Sequence, residues 1–549
     1  MVSLAQLDRT PRRWTLVLVA GLVAWTALAL AVDNGIFGAL QDDGLYLASA
    51  RSLRDGRGFG LPSRPGEPPP KYPIGLPALL GLALKLDPAP TLAREVAVAR
   101  GVVILGGWGF FLAAFGWLRR VGAGPPLACA IVLTTAFHHV VQIGGAATLF
   151  ADLPFAAVAY LLLARFVAPR REGSGWARAA VDGSLAGFGF LLRTNGITLI
   201  AAALLANALG RGRARWRLVP ATLAAVALVA VPATRYAGRH PRVVPSNSYF
   251  LELKAGWTTP GAGLRLVGRN LLAVAGDLPA RVLLSPTTYV DPLKDGLASH
   301  PAASWVIRGA CTLLVGFGLI RLARATRRRD LPAWVHALGT VAIFAVWPWE
   351  GILDRFTITL FPMILLAFAR GAEGLLGLVP ALAADRPACR RLATWAVVVA
   401  LAGNGAVVCR AVRYFRAHGG QWPGTVDRAD LGRALALIRA RTEPDAVVAS
   451  AWPELVALHT GRTSVPIFED EAVMTRHFGD VTRLRLWLRQ GEGRPFYFLH
   501  RTEPQDADHA DDQQMAALTP PGSRLAIRCV AAVPSGRYLV SRLVVDPAR

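Results

Sequence analysis

Two adjacent carboxylates, Asp42-Asp43, follow the first long apolar run of the chain, and a lysine, Lys71, follows them within a proline-rich stretch. Carboxylates accept protons, and cations steady developing negative charge. The acids open the stretch Asp42-Asp43-Gly44-Leu45-Tyr46-Leu47-Ala48-Ser49-Ala50-Arg51-Ser52-Leu53. Leu45, Ala48, Ser49 and Leu53 fall on one face at helical spacing, which predicts an amphipathic helix lying on a membrane surface. Two acids at its N-terminus suit the helix dipole and capping, and that is the plainer reading of them. Lys71 sits in Pro68-Pro69-Pro70-Lys71-Tyr72-Pro73, a rigid extended run. Its plainer reading is an interfacial lysine. The chain, however, has four lysines (Lys71, Lys85, Lys254, Lys294) against 56 arginines, and all four fall in loops expected on the outer side of the membrane.

Farther on, Asp152 starts an apolar run in Phe150-Ala151-Asp152-Leu153-Pro154, as a helix cap or as an orienting acid. Arg193, in Arg193-Thr194-Asn195, lies where it can meet phosphate or sugar. Arg355 opens a late run in Asp354-Arg355-Phe356, with Pro362 after it. Beside Trp347, Trp349, Glu350 and Asp354, it also reads as an interface marker with local ion pairs. His138-His139 has no third ligand at metal spacing.

The elements that position these residues are membrane helices. The chain has 549 residues, is 53% hydrophobic and has a mean hydropathy of +0.39. Its apolar residues come in blocks of roughly 15–22, near the ~20 that cross a bilayer. Eleven spans are expected, over 14–32, 96–118, 126–143, 148–167, 179–192, 196–209, 218–234, 305–322, 333–349, 356–370 and 394–409. The pair 179–192 and 196–209 reads either as two partial helices or as one broken helix. The first run ends in an Ala-rich stretch like a signal-peptide cleavage site, but the many runs that follow favour an uncleaved span.

The net charge of +24 is concentrated in short loops: Arg119-Arg120, Arg170-Arg171, Arg211/Arg213/Arg215/Arg217, Arg327-Arg328-Arg329 and Arg386/Arg390/Arg391. One topology with a cytoplasmic N-terminus puts all five clusters inside. Such clusters suit anionic headgroups, and no folded basic module points to nucleic acid. Segments 33–95, 235–304 and 410–549 then lie outside. The first has seven basic and seven acidic residues. The expected division is a transmembrane domain, 1–409, with two large outer loops, 33–95 and 235–304, and a small soluble α/β domain, 410–549. In the latter Val426–Arg441 has helical spacing, while Ala446–Ser450, Pro495–Leu499, Leu525–Ala532 and Arg537–Val545 read as strands. Asp506–Asp512 is a solvated acidic stretch. The five cysteines form no CxxC and no readable disulfide or zinc framework.

These motifs together resemble the GT-C class of membrane glycosyltransferases, nearest in style to the protein O-mannosyltransferases, the lipid A aminoarabinose transferase and their bacterial relatives. The family pattern is an acid pair after span one, a tyrosine four residues past the first acid, and Lys/Tyr-Pro residues before span two. Here these are Asp42-Asp43, Tyr46 and Lys71-Tyr72-Pro73. Asp152 at a span start and Arg355 before Pro362 continue it, and the stretch Ala446–Pro466 with Gly461-Arg462 resembles the tail of bacterial members. The resemblance implies an inverting transfer of a sugar from a polyprenyl phosphate or diphosphate to an acceptor hydroxyl on a glycan, lipid or protein at the outer face. It implies Asp42 as general base with Asp43 in support, Lys71 and Arg355 on the donor phosphate, and Asp152, Tyr46, Tyr72 and Arg193 around the acceptor. It leaves a divalent metal open, since some of the class use one and others none. This chain departs from the pattern at Leu45, where some relatives carry a base, so Arg51 or Arg193 is a further candidate for the phosphate. The second acid is Asp rather than Glu. The Arg-rich composition suggests a bacterial plasma-membrane protein. Two other readings compete. A flippase would show repeats and buried charges in broken helices. A polysaccharide polymerase or ligase would carry its catalytic loop late, where Asp291 and Asp295 stand.

Overall fold

The structure is a computed structural model that describes residues 11–32, 37–38, 42–61, 72–87, 91–146, 148–168, 175–209, 215–238, 257, 259–284, 301–347, 353–417, 428–450, 452–466, 494–501, 525–535 and 538–545. Lys71, Asp291, Asp295, Trp349, Glu350 and Asp506–Asp512 lie outside the described residues.

Seventeen helices longer than one turn are described: α1 (Pro11–Ala31), α2 (Asp42–Arg54), α3 (Gly75–Leu84), α4 (Leu92–Arg120), α5 (Pro125–Ala136), α6 (Asp152–Val167), α7 (Gly175–Leu192), α8 (Ile197–Ala208), α9 (Arg215–Gly238), α10 (Pro260–Leu272), α11 (Leu278–Leu284), α12 (Pro301–Ala325), α13 (Leu331–Ala345), α14 (Phe361–Leu376), α15 (Arg386–Ala417), α16 (Arg428–Arg441) and α17 (Pro453–Thr460). A helix stands at each of the eleven apolar runs. Five helices among the described residues are long and apolar enough to cross a membrane: Arg12–Ala31, Leu92–Arg120, Trp305–Ala325, Ile358–Leu376 and Arg386–Ala417. The run around 179–209 forms two helices, because Arg193 is extended and Thr194–Gly196 makes one 3-10 turn between them. The last long helix, α15, carries on past residue 409 to Ala417.

Local chemistry sets the helix starts. Thr91 caps α4 by accepting the Arg94 N–H, and prolines open α5, α10 and α12 where a missing N–H costs nothing. Small residues let helices approach closely in the bundle. At the crossing of α12 and α14, a side chain on Gly318 would meet the Ala367 carbonyl, and one on Gly371 would meet the Leu314 carbonyl. The two backbones therefore touch.

The amphipathic helix expected after the first span is α2, but it does not rest on one face. Leu45 and Leu53 are half-buried, whereas Asp43, Tyr46, Leu47 and Ala50 are buried. The reason is that both α3 and α17 pack against it. Its C-terminal half is clamped to α4, with Arg51 Nε 2.6 Å and Arg54 Nη1 2.5 Å from the two oxygens of the buried Glu95 carboxylate.

The C-terminal region forms a five-stranded sheet from β1 (Val447–Ser450), β2 (Thr463–Pro466), β3 (Phe496–Arg501), β4 (Leu525–Ala532) and β5 (Tyr538–Val545). The order is β2-β1-β3-β5-β4. β1 runs parallel to both β2 and β3, while β5 runs antiparallel to β3 and β4. Between β1 and β2 lies α17, the crossover that a parallel pair requires. Leu431, Leu435 and Ile438 of α16 and Leu455 and Val456 of α17 share a core with Val448, Leu499 and Val540 of the sheet.

Candidate active site

The candidate residues sit at helix ends. Asp42 and Asp43 begin α2, Tyr72 precedes α3, Asp152 begins α6, Arg193 follows α7, and Arg355 lies in the one-turn helix Leu353–Phe356 ahead of α14. Five separate parts of the sequence thus deliver polar groups to one place. Such polar ends are free of the apolar pattern that shapes the helix bodies.

They form one chain of charged contacts. Tyr72 donates its hydroxyl to Asp42 Oδ1 at 2.6 Å. Arg355 Nη1 donates to Asp42 Oδ2 at 3.0 Å, and its Nε donates to Asp152 Oδ2 at 2.9 Å. The other oxygen of Asp152 is paired with the Arg193 guanidinium. Aromatic faces fix both arginines: Arg355 lies 3.3 Å above the Phe150 ring and Arg193 lies 4.4 Å from the Phe356 ring centre. Tyr46 supports Tyr72, with ring centres 5.4 Å apart.

Burial grades the chain. Asp152 is 3% exposed, whereas the side chains of Asp42 and Arg355 are each 19% exposed. Asp42 and Arg355 are partly open to solvent, while Asp152 serves as an internal anchor for two cations. The two arginines and the two carboxylates balance in charge. A phosphate arriving here would add negative charge beside Arg355, and Lys71 is next in sequence to Tyr72.

Asp43 points the other way. It is fully buried, and both of its oxygens are taken by backbone donors: the Gly44 N–H at 2.9 Å and the Gly38 N–H at 3.2 Å. Burial raises its pKa to about 6, with the neighbouring Asp42 charge adding to the rise and the backbone hydrogen bonds opposing it. The folded pKa therefore lies above the unfolded one. Its stabilising contribution is full below the unfolded value and is lost as pH rises through about 6. Above that, the buried carboxylate costs on the order of 3 kcal/mol. The melting temperature of the wild-type protein in detergent is expected to fall between pH 5 and pH 7.5 relative to that of Asp43→Asn, which lacks the titration. Parallel curves would show that Asp43 ionises like an ordinary carboxylate.

Sequence reasoning passed over two groups, Phe150 and Phe356. Both stand beside singled-out residues, and an aromatic next to an expected cation is the signal that would have found them. Of the adjacent pair His138-His139, the first ring is engaged elsewhere. His138 Nε2 lies 2.9 Å from the Arg281 carbonyl, and its ring meets Phe361 edge-on at 4.7 Å. Among the described residues no three His, Cys, Asp or Glu side chains converge as metal ligands.

No protein-family model and no curated protein matches the sequence. Solved structures do match. ArnT from Cupriavidus metallidurans, in a crystal structure bound to undecaprenyl phosphate, is similar to 96% of this chain over 98% of its own length, with 15% identity and a TM-score of 0.57. The archaeal oligosaccharyltransferase AglB from Archaeoglobus fulgidus, in complex with an inhibitory peptide and a dolichol-phosphate, is similar to 95% of this chain over 74% of its own, with 12% identity and a TM-score of 0.51. The same oligosaccharyltransferase in complex with Zn and sulfate gives 14% identity and a TM-score of 0.55. Both neighbours are membrane glycosyltransferases of the GT-C fold. The chain has that fold, as its short motifs implied, with membrane-length helices and a C-terminal sheet.

Proposed function

We propose that this protein is an inverting glycosyltransferase of the bacterial plasma membrane. It moves a hexosyl or pentosyl group from a polyprenyl phosphate or diphosphate to an acceptor hydroxyl at the outer face. The observation that carries this reading is the Asp42–Arg355 pair: a reachable carboxylate and a reachable guanidinium 3.0 Å apart, braced by Asp152 and Tyr72. A proton acceptor beside an anion-stabilising cation is what displacement of a lipid phosphate requires.

In this reading the acceptor oxygen attacks the anomeric carbon while its proton passes to Asp42. The bond from that carbon to the phosphate oxygen breaks, and its electron pair leaves on the phosphate. Arg355 and Lys71 receive the developing charge. One displacement inverts the anomeric centre. Asp152 and Arg193 hold Arg355 in place, and Tyr46 and Tyr72 shape the acceptor side. Binding of undecaprenyl phosphate by ArnT and of a dolichol-phosphate by AglB, as their structures describe, supports a polyprenyl-linked donor here.

The proposed topology has eleven crossings, a cytoplasmic N-terminus, and the outer loops 33–95 and 235–304 on the same side as the C-terminal domain, 410–549. It is supported by α4, which meets α2 through Glu95 near its start and ends at Arg119-Arg120. The acceptor is a glycan, lipid or protein hydroxyl.

The test is turnover in proteoliposomes with a panel of sugars on polyprenyl monophosphate and diphosphate, against nucleotide sugars. Release of the polyprenyl carrier and a product of inverted anomeric configuration by NMR are expected. Use of nucleotide sugars alone, or a retained configuration, would overturn the proposal.

A further inference from the structure

We infer that His459, in the C-terminal domain, is a positioning residue that holds the acid pair in place through the Phe37–Gly38 peptide group. The inference rests on the reading of Asp42-Asp43 as the reaction centre.

One peptide unit makes the link. Its carbonyl, on Phe37, accepts from His459 Nε2 at 2.8 Å. Its N–H, on Gly38, donates to Asp43 Oδ2 at 3.2 Å. A carbonyl only accepts, so the proton of His459 is on Nε2. Hydrogen bonds at both ends of a peptide group polarise it and strengthen each other. His459 thus reaches Asp43 without touching it.

The packing leaves this arrangement little freedom. Gly38 has φ +99°, where a side chain is strained, and an added Cβ would lie 3.1 Å from the backbone Cα of Leu455 on α17. A Cβ on Gly44 would lie 3.1 Å from Cβ of Glu454 and 3.2 Å from Gly38 Cα. The turn, the first turn of α2 and the helix α17 are therefore interlocked at three points. Asp43 takes one bond from the turn and one from Gly44, so the turn fixes the start of α2. Asp42 is the preceding residue. Its orientation toward Arg355 and Tyr72 thereby depends on a helix more than 400 residues away in sequence.

Among the described residues, Asp42 on its own helix adds its charge to that of Asp43, and Glu454 and His459 stand on α17, which packs against this turn. Burial lowers the pKa of His459, the hydrogen bond to the Phe37 carbonyl opposes that shift, and the Arg51 charge on α2 adds to it. At neutral pH the link therefore works through a neutral imidazole N–H.

The test uses the full-length protein and three variants, His459→Ala, His459→Gln and Leu455→Ala. The first readout is the infrared carboxyl band of Asp43, assigned by its loss in Asp43→Asn and followed against pH. In His459→Ala the midpoint should move up, because Gly38 becomes a poorer donor to the carboxylate. In His459→Gln, whose amide can donate to the same carbonyl, it should return toward wild type. Leu455→Ala hollows the core of the C-terminal domain but keeps the Cα and Cβ that face Gly38 and leaves the link, so its midpoint should stay. The second readout is turnover of the lipid-linked donor: kcat about tenfold lower in His459→Ala with an unchanged donor KM, and most of it restored in His459→Gln. An unmoved midpoint in His459→Ala, or a Gln variant as impaired as Ala in both readouts, overturns the inference. A wild-type protein that turns over no lipid-linked donor, yet shows the midpoint shift, leaves the positioning role standing and removes the proposed function.

Discussion

Asp42→Asn is expected to lower kcat by about 10²–10⁴-fold, the usual contribution of a general base, with the donor KM changed only a few-fold. The asparagine keeps the size of the side chain. It can still accept the Tyr72 hydroxyl, now 2.6 Å from Asp42 Oδ1. It cannot take the acceptor proton. Arg355 loses one carboxylate but stays held by Asp152 at 2.9 Å and by the Phe150 face, so the cation proposed to meet the phosphate remains. The loss therefore falls on the chemical step. Single-turnover kinetics in proteoliposomes, with donor binding measured separately, distinguish the two. Turnover equal to wild type would remove Asp42 from the base role, and a large rise in KM alone would recast it as a binding group.

Arg355→Gln should be the more damaging to the protein as a whole. It removes a cation shared by two carboxylates, one of them only 3% exposed. Breaking a buried pair by removing one partner typically costs about 3–5 kcal/mol. Arg193 stays on Asp152, and Tyr72 stays on Asp42, so the lower end of that range is expected. Turnover should fall by a further 10²–10³-fold or so, through loss of charge stabilisation at the leaving phosphate. Arg355→Lys should not restore it, because an ammonium cannot place donors on Asp42 and Asp152 together while lying flat on Phe150. Melting in detergent and turnover measured together test this. A lysine variant with near wild-type values of both would show that a point charge suffices.

Much of the fold was legible because its strongest signal, the apolar run, is what bilayers and helices both demand. The positions of α4, α12 and α15 follow from it directly. The short elements were less legible. β2 has four residues and α17 eight, too few for a period to show, and both take their form from the sheet they complete. The site was legible as a set of residues and not as contacts. Asp42, Tyr72, Asp152, Arg193 and Arg355 were each singled out, yet their joining depends on which helix ends meet, and no local pattern encodes that. Asp43 illustrates the limit. Its sequence neighbour suggests an equivalent acid, but Gly38 and α17 turn it inward. Arg355 illustrates another: an arginine at an interface and one clamped between two acids look alike in sequence.

The length of α4 has a consequence for where chemistry can take place. Glu95, which holds α2 through Arg51 and Arg54, and Arg119 stand 24 residues apart on one unbroken helix. At 1.5 Å per residue they are about 36 Å apart, against a hydrocarbon layer of about 30 Å. With Arg119 held at one edge of the hydrocarbon layer, the other end of this rod clears the opposite edge by only a few ångströms. In the proposed topology the helix is then a ruler: its residue count would set the altitude of Asp42 over the bilayer, and so the level at which the proposed lipid phosphate would be met. Adding or removing one turn would shift that level by about 5.4 Å, more than the reach of a hydrogen bond.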